Sequence, residues 1–146
     1  LPWPSVSMRK SWPAGGSARR GVDMSTGKVL IVDDELEVRQ ILQEFLAHNV
    51  HEVYAAESGP EALNALDTFK PDVVLLDVLM PGMDGVETLK RMVALQPTLP
   101  VIMVTANADV GITSKLLGLG AADYIPKPFS PLELLARVRR LLKKRA

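Results

Sequence analysis

Five polar residues of this sequence each stand just past a short apolar run, and they are Asp33, Asp34, Asp77, Thr105 and Lys127. If those runs are parallel strands of one sheet, all five residues lie at the same edge, because the carboxyl ends of parallel strands point the same way. A lone aspartate in such a position usually caps a helix or belongs to a turn. Five polar residues at one edge indicate a ligand site instead.

The chemistry of these groups favours a divalent metal ion. Clustered carboxylates raise one another's pKa unless a cation neutralises them. Asp33, Asp34 and Asp77 are the three carboxylates at this edge, so they are the expected ligands of such a cation. Magnesium is the expected cofactor because it prefers oxygen ligands, takes one or two carboxylates and leaves room for phosphate oxygens. A phosphoryl group on Asp77 would add negative charge, which Lys127 would balance and Thr105 would bind as a hydroxyl donor.

Alternating strands and helices must bring these residues together. The predicted strands are residues 29–32, 53–56, 73–76, 101–104 and 123–125. The longer runs are wholly apolar, as expected for strands buried on both faces, and Pro126 places the fifth strand at a sheet edge. The alternation predicts an α/β fold, with a parallel sheet covered by helices on both faces.

The segment after each predicted strand carries apolar residues at helical spacing. In the first helix the predicted buried stripe is Val38, Ile41, Leu42, Phe45 and Leu46. Capping boxes at Ser58–Glu61 and Ser130–Glu133 open the second and fifth helices. The fourth helix is expected over residues 108–119, where Gly111 and Gly118 each weaken it by about 1 kcal/mol relative to alanine.

The composition predicts a folded protein located in the cytoplasm. Hydrophobic residues make up 47% of the 146 positions, and no apolar run approaches the roughly 18–20 residues of a membrane span. We therefore expect no membrane association. The chain has no cysteine, which excludes disulfides, thiolate metal sites and cysteine nucleophiles and fits a reducing compartment.

Acidic and basic residues number 17 each, but they are unevenly placed. Residues 29–136 hold 16 acidic residues and 6 basic ones. Such an acidic body repels nucleic acid, so direct nucleic-acid binding by this part of the chain is not expected. The basic stretch at residues 137–145 is interpreted as the solvated face of a helix, because cations suit a helix C-terminus, and a nucleic-acid patch is the less favoured alternative.

Two regions differ in composition. Residues 1–27 are predicted to be a tail, either disordered or left over from cloning, because they carry three prolines and no periodic apolar pattern. Met24 is the candidate native start. Residues 28–146 are predicted to form one domain.

The stretch from Val29 to Lys144 resembles the receiver domain of bacterial two-component response regulators, the CheY-like domain. The matching motifs are Val32-Asp33-Asp34-Glu35, the ten residues from Leu76 to Gly85, Val104-Thr105-Ala106 and Lys127-Pro128-Phe129. The resemblance implies a flavodoxin-like, doubly wound five-stranded parallel sheet of order 2-1-3-4-5. Five helices would complete a three-layer sandwich.

The same resemblance implies a phosphorylation site. Asp77 would accept a phosphoryl group from a histidine kinase or a histidine phosphotransfer protein. Asp34, Asp77 and the backbone carbonyl of Leu79 would hold magnesium, with Asp33 acting largely through bound water. Thr105 would bind a phosphoryl oxygen, and so would Lys127.

A conformational switch is also implied. Tyr124 would change rotamer when Thr105 moves, and the Lys127–Pro128 bond is a candidate cis peptide. Phosphorylation would reshape the face formed by the fourth helix, fifth strand and fifth helix, through which a homodimer is expected. Leu79 and Asn107 match positions that tune the loss of the phosphoryl group.

Two alternative functions fit the sequence less well. A haloacid-dehalogenase-type phosphatase is disfavoured, because such enzymes carry a second acid two residues after the nucleophile and this chain has Leu79 there. A receiver-like interaction module that takes no phosphoryl group is disfavoured by the complete set of five polar residues. The chain is therefore expected not to be an enzyme beyond assisting its own phosphorylation and dephosphorylation.

Overall fold

Strands and helices alternate along the residues that the computed structural model describes, which are 27–50, 52–78, 84–106 and 110–145. The strands are β1 (Lys28–Val32), β2 (Glu52–Ala56), β3 (Val73–Asp77), β4 (Val101–Thr105) and β5 (Asp123–Pro126). The helices are α1 (Leu36–Ala47), α2 (Gly59–Thr68), α3 (Gly85–Leu95), α4 (Val110–Gly118) and α5 (Pro131–Arg145). Each predicted strand is confirmed and gains one residue at one of its ends. Within these residues no helix is both long and apolar enough to cross a membrane.

The five strands form one parallel sheet in the order β2-β1-β3-β4-β5. This is the order that the resemblance implied. β5 lies at an edge, as predicted from Pro126, which cannot donate a ladder hydrogen bond. Thr105 and Pro126 are partners in the β4–β5 register, so the last residues of these strands lie side by side.

Helices cover both faces of the sheet and give three layers. α1 and α5 pack on one face, over strand residues such as Val29 and Ile31. α2, α3 and α4 pack on the other face, over neighbours such as Leu30 and Val32. Because successive side chains of a strand point to opposite faces and both faces are buried, the middle residues of each strand are apolar or aromatic, and charged residues stand only at strand ends. The doubly wound arrangement is confirmed.

The predicted buried stripe of α1 is wrong at one position. Ile41 is 60% exposed, whereas Arg39 and Gln43 are only 7% and 1% exposed. The other four members are buried or half-buried, and they are Val38, Leu42, Phe45 and Leu46. Helical spacing identifies a buried stripe but does not fix the rotation of the whole helix about its axis. In α1 that rotation buries the Arg39 side chain and exposes Ile41.

Side chains cap three of the helices. Ser58 accepts a hydrogen bond from the N–H of Glu61 at 3.3 Å, and Ser130 accepts one from the N–H of Glu133 at 3.2 Å, so these serine caps of the predicted boxes are confirmed. The Asp84 carboxylate also caps α3, accepting from the N–H of Glu87 at 2.9 Å. This third cap was not predicted. A side-chain cap typically contributes about 1 kcal/mol.

The helix α4 ends in a Schellman motif. The N–H of Ala121 donates to the carbonyl of Leu116, and the N–H of Gly120 donates to the carbonyl of Leu117, both at 3.1 Å. Gly120 has a φ of 112°, which side chains rarely tolerate. The predicted helix over 108–119 is confirmed for most of its length, and its expected first two residues lie outside the described part.

Candidate functional site

Four strand ends supply the candidate site. Asp77 and Thr105 are the last residues of β3 and β4, while Asp33 and Lys127 directly follow β1 and β5. The side chains of Asp33, Asp77 and Thr105 are buried, although polar groups are normally solvated. The parallel topology therefore brings together residues that are far apart in sequence, as predicted.

The three aspartates form a compact acidic cluster. Carboxylate oxygens of Asp33, Asp34 and Asp77 all lie within 4.8 Å of one another, with Asp34 exposed and the other two buried. An exposed member beside two buried ones gives a cation a way in from solvent. Because the donors are all oxygens and one or two carboxylates suffice, the cluster fits magnesium. Leu79, whose carbonyl was the fourth predicted ligand, lies outside the described residues.

Lys127 places its ammonium among these acids. Its Nζ lies 3.6 Å from Asp77 Oδ2, 3.7 Å from Asp33 Oδ2 and 3.8 Å from Glu35 Oε1. These are ion-pair distances, longer than those of well-formed hydrogen bonds. Lys127 thus acts as a point charge shared by several carboxylates, which leaves it able to follow a new anion at the site.

The backbone holds Lys127 in place. Its N–H donates to the carbonyl of Thr105 at 2.7 Å, which ties the chain after β5 to the end of β4. The peptide bond between Lys127 and Pro128 is cis, as predicted. Lys127 and Thr105 are therefore positioned as one unit relative to Asp77.

Burial is the largest influence on the Asp33 carboxyl group and raises its pKa above the usual 3.8. The N–H of Glu35, which donates to Asp33 Oδ1 at 2.9 Å, and the Lys127 ammonium oppose this effect. The carboxylates of Glu35 and Asp34 add to it. The cluster is thus electrostatically unfavourable in isolation, and a bound cation would relieve it.

A close contact between backbones completes the site beside Asp77. The N–H of Gly85, the first residue of α3, donates to the carbonyl of Val78 at 2.9 Å. A Cβ at Gly85 would overlap the backbone oxygen of Asp77 and lie 2.6 Å from the Cα of Val78. Gly85, the last residue of the Leu76–Gly85 motif, therefore permits a close backbone approach that a side chain would prevent.

The predicted switch residue Tyr124 lies on β5. It pairs with Met103 in the β4–β5 register, two positions before the pair of Pro126 with Thr105. Its ring is half-buried and packs on the sheet face that α2, α3 and α4 cover. Tyr124 and Thr105 are therefore near neighbours in the sheet. The rotamer change of Tyr124 when Thr105 moves stays a prediction.

Sequence reasoning missed Arg39. Its Nη1 donates to the backbone carbonyl of Asp33 at 2.8 Å, and its Nη2 lies 3.7 Å from Glu57 Oε1. The available signal was a lone basic residue in an acidic segment, directly after the apolar Val38. Arginine side chains are mostly exposed in folded proteins, so a buried one was not expected from the sequence.

The chain matches one protein family over most of its length. The family model for the response regulator receiver domain matches residues 29–139. Response regulator MprA of Mycolicibacterium vanbaalenii is 41% identical over 117 residues, which are 80% of this chain and 51% of that protein. The probable transcriptional regulator ycf27 of Guillardia theta is 44% identical over 124 residues, which are 84% of this chain and 48% of that protein. The chain thus spans about half the length of these curated relatives.

Solved receiver domains have the same fold. The receiver domain of the Francisella response regulator 1452 superposes with a TM-score of 0.77 at 33% identity, over 83% of this chain and 100% of that one. The BeF3-activated receiver domain of DrrB superposes with a TM-score of 0.74 at 34% identity, over 81% of this chain and 98% of that one. These likenesses agree with the parallel sheet and its strand order.

Proposed function

The chain belongs to the response regulator receiver domain family of two-component signalling, and on that basis we propose that Asp77 is its phosphoacceptor. The observation that carries this proposal is the placement of Asp77. Its buried carboxylate lies 3.6 Å from the Lys127 ammonium and within 4.8 Å of two further acids. No other group of three acids this close together is present in the described residues.

The transfer takes a phosphoryl group from a phosphohistidine of a histidine kinase or a histidine phosphotransfer protein. A carboxylate oxygen of Asp77 attacks phosphorus, the P–N bond to the donor imidazole breaks, and its electron pair returns to the imidazole nitrogen, which takes up a proton. The product is an acyl phosphate. The added charge, about −1 beyond that of the carboxylate, is then balanced by Lys127 at the same edge.

Asp33, Asp34 and Asp77 would hold the magnesium ion, with the Leu79 carbonyl as the further proposed ligand. When bound, the ion offsets the negative charge of the acids and of the incoming phosphoryl oxygens. Thr105 would donate its hydroxyl to one phosphoryl oxygen, and Lys127 would pair with another. Holding these groups on four rigid strand ends supplies the orientation that phosphoryl transfer depends on.

The donor would dock beside Lys127. A pocket of about 490 Å³ opens there between α1 and the start of α5, lined by Val38, Ile41, Leu42, Lys127, Pro128, Phe129 and Pro131. Ile41, whose exposure contradicted the predicted stripe of α1, is one wall of this pocket. Because the pocket is mostly apolar and includes the site lysine, it suits an amphipathic helix that carries the phosphohistidine next to its apolar face.

The response would appear on the face formed by α4, β5 and α5. Movement of Thr105 toward the phosphoryl group would be accompanied by a new rotamer of Tyr124, which changes that face. Val110 and Leu117, both in α4, are exposed large apolar residues, and they support the proposed homodimer. The proposed domain is residues 28–146, its proposed location is the cytoplasm, and neither nucleic-acid nor membrane contact is proposed for it.

The test is phosphorylation with acetyl phosphate and magnesium, followed by intact-mass measurement. The wild-type chain should gain the mass of one phosphoryl group, and the gain should disappear after base treatment because acyl phosphates are labile. Asp77→Asn should show no gain, while Asp123→Asn, a carboxylate change at the opposite end of β5, should behave as wild type. Persistent labelling of Asp77→Asn would overturn the assignment.

A further inference from the structure

Arg39 is a buried cation that is not a member of the proposed site but contacts its backbone. The guanidinium bridges two loops that follow neighbouring strands. Nη1 donates to the Asp33 carbonyl at the end of β1, and Nη2 pairs with Glu57 at the end of β2. Arg39 itself is only 7% exposed, so its hydrogen bond to Asp33 is shielded from water.

The carbonyl that Arg39 binds belongs to the peptide group between Asp33 and Asp34. A peptide group is planar, so fixing the direction of its carbonyl restricts ψ of Asp33 and φ of Asp34 together. Those two angles set the direction in which the side chains of Asp33 and Asp34 leave the backbone, relative to the shared peptide plane. One hydrogen bond from Arg39 therefore influences two members of the acidic cluster.

Three hydrogen bonds hold Asp33. Its N–H donates to the carbonyl of Ala56 at 3.1 Å, its carbonyl accepts from Arg39, and its Oδ1 accepts from the N–H of Glu35 at 2.9 Å. Its other carboxylate oxygen, Oδ2, is the one that pairs with Lys127. The backbone contacts thus turn one oxygen of Asp33 into the loop and the other toward the site.

The type of side chain is suited to this position. A guanidinium has several donors in a planar fork, so Arg39 can bind the carbonyl and approach Glu57 at the same time. A charged donor forms a stronger hydrogen bond to a carbonyl than a neutral one does. A lysine ammonium is a single point charge and would serve one of the two partners at a time.

We propose that Arg39 is a positioning residue for the metal site, holding the Asp33–Asp34 peptide group so that both carboxylates face the same ion. This inference rests on the proposed function, since it assumes that the acidic cluster binds magnesium. Groups that support metal ligands in this way typically change metal affinity by about 10- to 100-fold when they are removed. Arg39 would act without touching the ion.

The experiment is a magnesium titration followed by amide chemical shifts of the full chain. Arg39→Met keeps most of the side-chain volume and removes every donor. It should weaken magnesium binding about 10-fold or more, and the Asp34 amide should shift even before magnesium is added. Arg39→Lys retains the charge and should recover part of the affinity, and it serves as the second variant if Arg39→Met does not fold.

Two controls separate this effect from general damage. Arg91→Met makes the same replacement at an exposed residue of α3 that pairs with Glu87, and it should bind magnesium as wild type does. Glu57→Gln removes the charge of the other Arg39 partner, whose side chain is 70% exposed, and should change affinity less than threefold. Equal affinities of Arg39→Met and wild type would overturn the inference while leaving the proposed function intact. Failure of the wild-type chain itself to bind magnesium would overturn both.

Discussion

Gly85 and Val78 are joined by a 2.9 Å hydrogen bond, which brings the first turn of α3 against the backbone at the end of β3. The contact allows no side chain at Gly85, because its Cβ would overlap the Asp77 carbonyl oxygen. Since the obstructing atoms are backbone and not the flexible end of a side chain, they cannot move aside cheaply. The shape of the site beside Asp77 therefore depends on a residue that carries no functional group.

Gly85→Ala should destabilise the fold by about 1–3 kcal/mol, as expected for overpacking. Denaturant-induced unfolding measures this, with the midpoint compared between variants. Gly118→Ala is the matched control, since no atom beyond its chain neighbours and the backbone of its own helix lies within 4 Å of a Cβ placed there. That variant should be unchanged or more stable by up to about 1 kcal/mol, because alanine favours a helix over glycine. Equal midpoints for the two variants would contradict the close contact.

If the acidic cluster is the proposed magnesium site, magnesium should stabilise the folded chain, because an ion that binds only the native state favours folding. At a concentration ten times its Kd the gain is expected to be about 1.4 kcal/mol. Thermal unfolding with and without magnesium, at constant ionic strength, measures the gain. Removal of the ion with a chelator should reverse it.

Asp34→Asn should remove most of that magnesium-dependent gain. Asp34 is the exposed member of the cluster, so its replacement costs little packing. Without magnesium this variant should be at least as stable as wild type, because one of three mutually repelling carboxylates is neutralised. A full magnesium response in Asp34→Asn would show that the ion binds elsewhere.

Lys127→Ala should separate phosphorylation from its structural response. The variant keeps the three aspartates, so magnesium binding should be largely retained, but it loses the cation 3.6 Å from Asp77. Beryllofluoride, a mimic of the acyl phosphate, should then cause smaller amide shifts around Tyr124 than in wild type. Lys115→Ala, a change on the surface of α4, is the control. Undiminished shifts in Lys127→Ala would disprove the coupling.

Tyr54 should titrate above its usual pKa of 10.0. Burial is the largest cause, and the phenol also donates to Glu61 Oε2 at 3.0 Å, so both effects favour its neutral form. Because the folded-state pKa is raised, the stabilisation from Tyr54 is fully present below pH 10 and is lost as the pH rises through the raised value. Tyrosinate absorbance follows the titration, and Tyr54→Phe assigns it.

Glu61→Gln should lower the pKa of Tyr54 without returning it fully to 10.0, because the charge of Glu61 is removed while burial remains. The Glu61 side chain also accepts from the N–H of Glu57 at 3.0 Å. A glutamine can keep that hydrogen bond, so the loop before α2 should be preserved. An unchanged Tyr54 titration in this variant would assign the raised pKa to burial alone.

Much of the architecture follows from local physical rules. β3 is apolar on both faces up to its last residue, Asp77, because helices cover both faces of the sheet, and this pattern predicted the two helix layers. Serine caps at Ser58 and Ser130 marked where helices begin. The meeting of Asp33 with Lys127 also followed from topology alone, because parallel strands end at one edge.

The sequence was therefore sufficient to predict that the five polar residues meet at one edge of the sheet, whereas the packing of the elements sets the contacts that hold them there. The rotation of α1 depends on packing against the sheet and on α5, and no spacing along the chain reveals it. That rotation exposes Ile41 beside the pocket and buries Arg39 against the Asp33 carbonyl. The requirement for glycine at position 85 could not be predicted from spacing either, because it arises from the backbone of Asp77 and Val78, which packs against Gly85 across a turn. Periodicity reports one element at a time, whereas these contacts exist only between elements once they are packed.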